Sequence, residues 1–236
     1  MDRNLARRAS AEAVGTAFLV AVVVGSGIAA QRLSPGNLGL ELLENSTATG
    51  AALVALILAI GPISGAHFNP IVTLADRLLG GTSTRDASVY VVAQIVGACI
   101  GSVIANLMFD LSAVTLSTHS RSSSGLWLGE FVATFGLLLV ILGVVRARRD
   151  SVAAFAVGGY IASAYWFTSS TSFANPAVTI GRTLTDTFAG IRPSSAPMFI
   201  AMQVVGGLAA IALGHFWNPR LPAADLVVPH DIDDRT

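Results

Sequence analysis

Ser64-Gly65-Ala66-His67-Phe68-Asn69-Pro70-Ile71-Val72-Thr73-Leu74 and Ser170-Thr171-Ser172-Phe173-Ala174-Asn175-Pro176-Ala177-Val178-Thr179-Ile180 are two versions of one stretch, and their reading decides the fold. Asn is a favoured helix N-cap and Pro a favoured first helical residue, so each copy predicts a helix start. Both lie between strongly apolar segments. A helix start inside a membrane leaves its first N–H groups without intrahelical partners, which is tolerated where they face a cavity. Two such starts in corresponding halves point to a pore or binding site near mid-membrane.

The composition agrees. The 236 residues are 53% apolar and 12% charged, about half the charged share of an average soluble domain, and the mean hydropathy is +0.68. The zero net charge removes any bulk case for nucleic-acid binding. All 14 basic residues are Arg, which we read as compositional bias. The single Cys99 excludes an internal disulfide framework and a multi-cysteine metal site, and reads as a buried thiol in an apolar run.

Apolar windows predict six spans, at residues 9–30, 45–63, 88–108, 126–145, 151–168 and 197–217. Arg3 to Arg8 before the first run could pass for a signal peptide, but the run is long enough to span. Residues 69–79 and 175–186 are left over. At about 1.5 Å per residue they reach roughly 16–18 Å, half of a hydrocarbon core, and are predicted as re-entrant half-helices.

The halves match beyond Asn-Pro. Glu12 in Glu12-Ala13-Val14-Gly15-Thr16 parallels Glu130 in Glu130-Phe131-Val132-Ala133-Thr134, and Gln94-Ile95-Val96-Gly97 parallels Gln203-Val204-Val205-Gly206. Three spans per half require the second repeat to be inverted, with the half-helix N-termini meeting near the midplane. The expected organisation is one membrane domain over residues 1–222, with repeats at about 9–109 and 125–217, followed by a polar cytoplasmic tail at 223–236. With both termini inside, Arg3, Arg7, Arg8, Arg77, Arg85, Arg146, Arg148, Arg149, Arg220 and Arg235 lie inside, against Arg32, Arg121, Arg182 and Arg192 outside. That bias supports cytoplasmic termini.

On these residues the chain resembles the major intrinsic protein family, the aquaporins and aquaglyceroporins. The resemblance runs from Glu12 to Gln203 and rests on the paired, inverted Asn-Pro-Ala-like motifs, the first reading Asn69-Pro70-Ile71. Ile71 adds bulk where the family has Ala. The resemblance implies an all-α membrane channel in the plasma membrane, a homotetramer with one pore per subunit, and water and small neutral solutes as the passing molecules. No cofactor, metal, enzymatic activity or nucleic acid is implied.

The pore chemistry follows. Two opposed half-helix N-termini place about half a positive charge each at the lumen and disfavour cations, including relayed protons. Asn69 and Asn175, beside Pro70 and Pro176, are fixed by capping and can donate to a passing oxygen. By resemblance the carbonyls of Gly65, Ala66, His67, Phe68, Thr171, Phe173 and Ala174 line one wall, with His67 at the inner vestibule or, alternatively, simply packed. Glu12 and Glu130 lie within spans, where a carboxylate needs a partner or a function. By resemblance each braces the re-entrant loop of its own half, with Gln94 and Gln203 as polar ties between helices.

Spacing from the Asn-Pro motifs carries the family's selectivity filter onto Thr49, Ser163, Ser172 and Val178. None is aromatic or charged, which predicts a wide, neutral filter lacking the usual Arg. Glycerol-like polyols, urea, hydrogen peroxide or neutral metalloid hydroxides would then pass, and a strict water filter is the alternative. The stretch from Ser170 to Thr179 looks most like bacterial arsenic-resistance-linked members that pass arsenite. Arg182, four residues past Val178, either reaches the outer vestibule in place of the lost charge or pairs with Asp186. An ion-coupled transporter would need a mid-membrane carboxylate free of a bracing role. An intramembrane enzyme would call on His67, His119 or His215, which fall in different regions with no serine elbow or His-pair spacing beside them.

Overall fold

The computed structural model describes residues 3–147 and 149–217. The 223–236 tail, Arg148, Arg220 and Arg235 lie outside the described residues. The described chain is all-helical: α1 (Arg3–Leu33), α2 (Leu38–Ser64), α3 (Pro70–Leu78), α4 (Thr84–Met108), α5 (Ser124–Arg146), α6 (Ala153–Phe167), α7 (Pro176–Gly181) and α8 (Ala196–Trp217). Side-chain caps start several of them: Asn37, Ser83 and Ser123 accept from the backbone N–H of Leu40, Asp86 and Leu126.

Five helices, α1, α2, α4, α5 and α8, are long and apolar enough to cross a membrane. The sixth predicted span is shorter than expected. α6 has 15 residues and continues a 3-10 turn at Asp150–Val152. Together they rise roughly 28 Å, close to a hydrocarbon core. α1 is no detachable leader, since it packs along α4 and α2. Val92, Val96, Ile100 and Ile104 form an exposed apolar stripe on α4, the surface a spanning helix presents to lipid. The chain is an integral membrane protein.

Close helix contacts define the two repeats. α1 packs on α4, and α5 on α8. A Cβ on Gly97 would lie 2.2 Å from the Ala13 carbonyl oxygen, one on Gly101 2.2 Å from that of Ala17, and one on Gly206 2.5 Å from that of Phe131. Only glycine permits such backbone approach, the small-residue packing of membrane helices. Gly50 and Gly158 meet across the repeats, each facing the other's carbonyl, and lock α2 onto α6. Cys99 is half-buried rather than buried.

The half-helices differ from expectation in length. α3 has 9 residues. α7 has 6 and gives way to a 3-10 turn at Arg182–Leu184, with Thr185 already extended. The Ser102 hydroxyl donates to the Gly181 carbonyl at 2.7 Å, where α7 ends. Ile71 points away from the pore: its Cγ2 occupies the space beside Gly207 of α8.

Candidate functional site

Each re-entrant loop hangs on one buried carboxylate. Glu12 Oε1 accepts from the Ser64 hydroxyl at 2.7 Å and the His67 N–H at 3.0 Å. Its Oε2 accepts from the Phe68 N–H at 2.7 Å and Gln94 Nε2 at 2.8 Å. Glu130 does the same for the second loop, accepting from the Phe173 and Ala174 N–H groups at 2.9 and 3.0 Å and from Gln203. Gln94 and Gln203 each reach on to a threonine, Thr73 and Thr179, at 2.9 Å. Both carboxylates are fully buried. Every bond ties them to protein donors, the satisfaction a charge in this environment requires.

The loops themselves are matched. Ala66, Phe68, Ser172 and Ala174 have φ between 49° and 51°, while Gly65 and Thr171 stand at 84° and 62°. A β-branched Thr at positive φ is strained, and persists only where its surroundings impose it. The carbonyls of Ala66, Ser172 and Phe173 accept no hydrogen bond among the described residues. These residues border a cavity, a place where an unpaired carbonyl can meet water or solute.

Asn69 and Asn175 stitch the two loops to each other. Asn69 Nδ2 donates to the Ala174 carbonyl, and Asn175 Nδ2 to that of Phe68, both at 2.8 Å. Their Oδ1 atoms cap the half-helices, accepting from the N–H of Ile71 at 2.9 Å and of Ala177 at 2.9 Å. One hydrogen of each amide remains, and both side chains border the cavity. Pro70 and Pro176 are the first residues of α3 and α7, with no N–H to orphan. The two positive helix ends therefore meet at one place.

The cavity has about 600 Å3 of atom-free space, part of it open to solvent. Its far wall is apolar, from Leu19 and Val23 of α1, Leu53 and Ile57 of α2, Leu137 and Ile141 of α5, and Val157 and Ile161 of α6. At one end His67 borders it, held by Thr73 Oγ1 at 3.1 Å and edge-on to Tyr90 at 5.5 Å. His67 is thus both lumen-facing and packed. Gly65 and Thr171 set the loop turns without bordering the cavity.

At the other end the structure corrects the expected filter. Thr49, Ser172 and Val178 border the cavity, but Ser163 does not. Ser163 is exposed on the outer face of α6 and donates to the Tyr160 carbonyl at 2.7 Å. The Gly158–Gly50 contact turns α6 so that Val157, Ile161 and Tyr165 face inward. Ser163, two residues from either neighbour, is about 200° away around the helix. An aromatic residue is therefore present: the Tyr165 hydroxyl lies 3.3 Å from Thr49 Oγ1. The Val157-Ile161-Tyr165 stripe at four-residue spacing was the available sequence signal.

A fixed cation is present as well. Arg182 is buried and borders the cavity. Its guanidinium lies 3.4 Å from the Phe173 ring centroid, and its Nε donates to the Ala189 carbonyl. The alternative pairing with Asp186 is not made. Asp186 accepts from the Thr118 N–H at 2.8 Å and its hydroxyl at 3.0 Å, with His119 Nε2 at 3.8 Å. The Thr118 bonds hold the Asp186 carboxyl below its ordinary range. A depressed carboxyl contributes stability present above its unfolded value, about 3.9, and lost as pH falls through the lower folded value. Protease protection of residues 111–123 is thus expected to weaken below about pH 4. Asp186→Asn should remove that pH dependence, and an unchanged profile would exclude the pin.

A bundle of membrane-crossing helices around a lumen where two half-helix N-termini meet is a transmembrane channel. The chain belongs to the major intrinsic protein family, whose model matches residues 2–169. Aquaglyceroporin AqpS of Rhizobium meliloti (strain 1021) is 50% identical over 210 residues, covering 89% of each chain. The probable aquaporin AqpM of Archaeoglobus fulgidus is 32% identical over 244 residues, covering 92% of this chain and 98% of its own. The X-ray structure of the aquaglyceroporin from Plasmodium falciparum shares the fold, with a TM-score of 0.69 at 22% identity over 93% of this chain and all of that one. The protein is a channel for water and small solutes and not an enzyme.

Proposed function

We propose that the channel passes uncharged solutes larger than water, together with water: glycerol-like polyols, urea and neutral metalloid hydroxides such as arsenite. The observation that carries this reading is a lumen with one polar wall and one apolar wall. Such a lumen guides a solute of mixed character without holding it. Val178 and Ile161 border the same cavity as Thr49 and keep its lining partly apolar. The aquaglyceroporin name of the Rhizobium relative supports the same class. The channel works as a homotetramer in the plasma membrane with both termini cytoplasmic. Thr49, Tyr165, Ser172, Val178 and Arg182 act as its filter, and Asn69 and Asn175 as its central donors.

A water-selective channel is the second reading, and the Tyr165–Arg182 end of the lumen favours it. Stopped-flow measurements on proteoliposomes separate the two. Glycerol, urea and arsenite flux well above that of empty vesicles supports the first reading, while water flux alone supports the second. No acceleration of any of them would falsify both. Val178→Arg should cut glycerol and arsenite flux roughly tenfold with water flux less affected, because a second guanidinium narrows the lumen by more than a methylene. Unchanged larger-solute flux would mean that Val178 is not at the constriction.

A further inference from the structure

Two polar atoms at the Thr49–Tyr165 end of the lumen have no use within the protein. Ser172 Oγ and Arg182 Nη1 are buried and make no hydrogen bond with the described residues. Their residues are 3% and 2% exposed, and both border the cavity. Buried donors left unpaired carry a desolvation penalty that a native fold avoids unless something else meets them. The fold does not demand them. At the matching places of the first repeat stand Ala66 and Asp76, and Ala66 has the same left-handed φ as Ser172, 50° against 51°. Among the described residues, no carboxylate forms a salt bridge with Arg182.

The guanidinium is nevertheless held rigidly, and the holder lies outside the lumen. Arg121, from the Ser-rich 112–125 stretch, stacks on the Phe173 ring at 5.2 Å, while Arg182 lies on that ring at 3.4 Å. The two arginines also share three consecutive carbonyls. Arg121 Nη2 takes Phe188 at 3.2 Å, Arg182 Nε takes Ala189, and Arg121 Nε takes Gly190 at 2.9 Å. Arg121 does not border the cavity. Planar guanidinium groups suit both the stacking and the forked donation, and a Lys ammonium suits neither.

We propose that Arg182 is the specificity-determining residue of this lumen, with Ser172 as its second donor, and that Arg121 is the residue that positions it. The donors select solutes that offer several acceptor oxygens. Arg182 only donates, whereas the Ser172, Thr49 and Tyr165 hydroxyls donate and accept. A compact trihydroxy solute offers these groups three oxygens that each accept and donate; urea brings one acceptor oxygen and a surplus of donors. The inference rests on the reading that uncharged solutes larger than water pass.

The ratio of glycerol flux to urea flux in proteoliposomes, with water flux as the control for a folded pore, tests it. Arg182→Met and Ser172→Ala should each lower that ratio about 3- to 10-fold, the worth of one to a few lost hydrogen bonds, with water flux still above that of empty vesicles. Ser172→Ala is the fold-safe variant, because the first repeat carries Ala in that conformation. Arg121→Met should lower the ratio in the same direction without touching the lumen, and Arg121→Lys should fail to restore it. A ratio unchanged in Arg182→Met or Ser172→Ala overturns the assignment of the donors. Wild-type behaviour of Arg121→Lys overturns the clamp, since charge alone would then suffice. A wild-type channel passing neither glycerol nor urea would instead sink the solute reading beneath it.

Discussion

Replacement of Glu12 by Ala is expected to unfasten the first re-entrant loop and, with it, the channel. The carboxylate accepts four hydrogen bonds, two of them from the buried backbone N–H groups of His67 and Phe68. Without it both N–H groups lie buried and unpaired, at about 1–3 kcal/mol each. A loss of about 4 kcal/mol is a large part of the 5–15 kcal/mol typical of a folded domain. The expected readout in detergent is a drop of about 10 °C in Tm, from the usual 2–4 °C per kcal/mol at this chain length. Water flux should fall toward that of empty vesicles, because Asn69 loses its register against Ala174. Glu12→Gln should lie between, since the amide keeps one acceptor and turns a donor toward donors. Glu130→Ala should behave likewise through Phe173 and Ala174. A Glu12→Ala protein with wild-type Tm and flux would show that the carboxylate is not a brace.

Adding a single methyl at Gly97 should be nearly as damaging. Its Cβ would sit 2.2 Å from the Ala13 carbonyl oxygen, where real contacts stay beyond 3.0 Å. Both atoms belong to helix backbones, so α1 and α4 must separate. Overpacking of this kind costs about 1–3 kcal/mol. The separation also displaces Glu12, the residue before Ala13, and Gln94, one turn before Gly97, so the brace loosens together with the helix pair. Gly97→Ala is expected to lower Tm by about 5 °C or more, at 2–4 °C per kcal/mol. Gly143→Ala and Gly159→Ala, where nothing lies within 4 Å of the new methyl, should leave Tm unchanged or slightly raised. Equal responses at the three sites would mean that the α1–α4 approach is not what fixes the bundle.

The two predictions concern features that differ in how visible they are in the chain. Glu12, Gln94 and Asn69, with Glu130, Gln203 and Asn175, stand out in sequence because a polar residue inside an apolar span is costly, and because each recurs in a second copy. Nothing about tertiary structure is needed to notice them. Gly97 is one of 23 glycines; it recurs as Gly206, but only the approach of Ala13 shows what the missing side chain is for.

The filter shows the same division more sharply. Carrying positions by spacing leads to Thr49, Ser172 and Val178, all of which border the cavity. Thr49 is fixed to its lumen-facing place by the regular turn of α2, and the other two lie within three residues of Asn175. It fails for Ser163, twelve residues back across a chain reversal. There the inward face of α6 is chosen by the fit of Gly158 against Gly50, and that choice brings Tyr165 to the lumen. For Arg182 the spacing left two placements open, the vestibule or a pair with Asp186, and α7 ends at Gly181, so helix periodicity does not choose between them. The side chain is then placed by Phe173, the Ala189 carbonyl and an arginine 61 positions away.

The sequence by itself determined the membrane class, the inverted repeat and the opposed half-helices, and marked Glu12 and Glu130 as carboxylates in need of partners. These follow from hydropathy, capping chemistry and the cost of buried charge, all of which act within a few residues of chain. Only the tertiary structure decided which end of the lumen carries an aromatic ring and a cation. That depends on helix rotation set by glycine contacts and on a guanidinium held by groups distant in sequence.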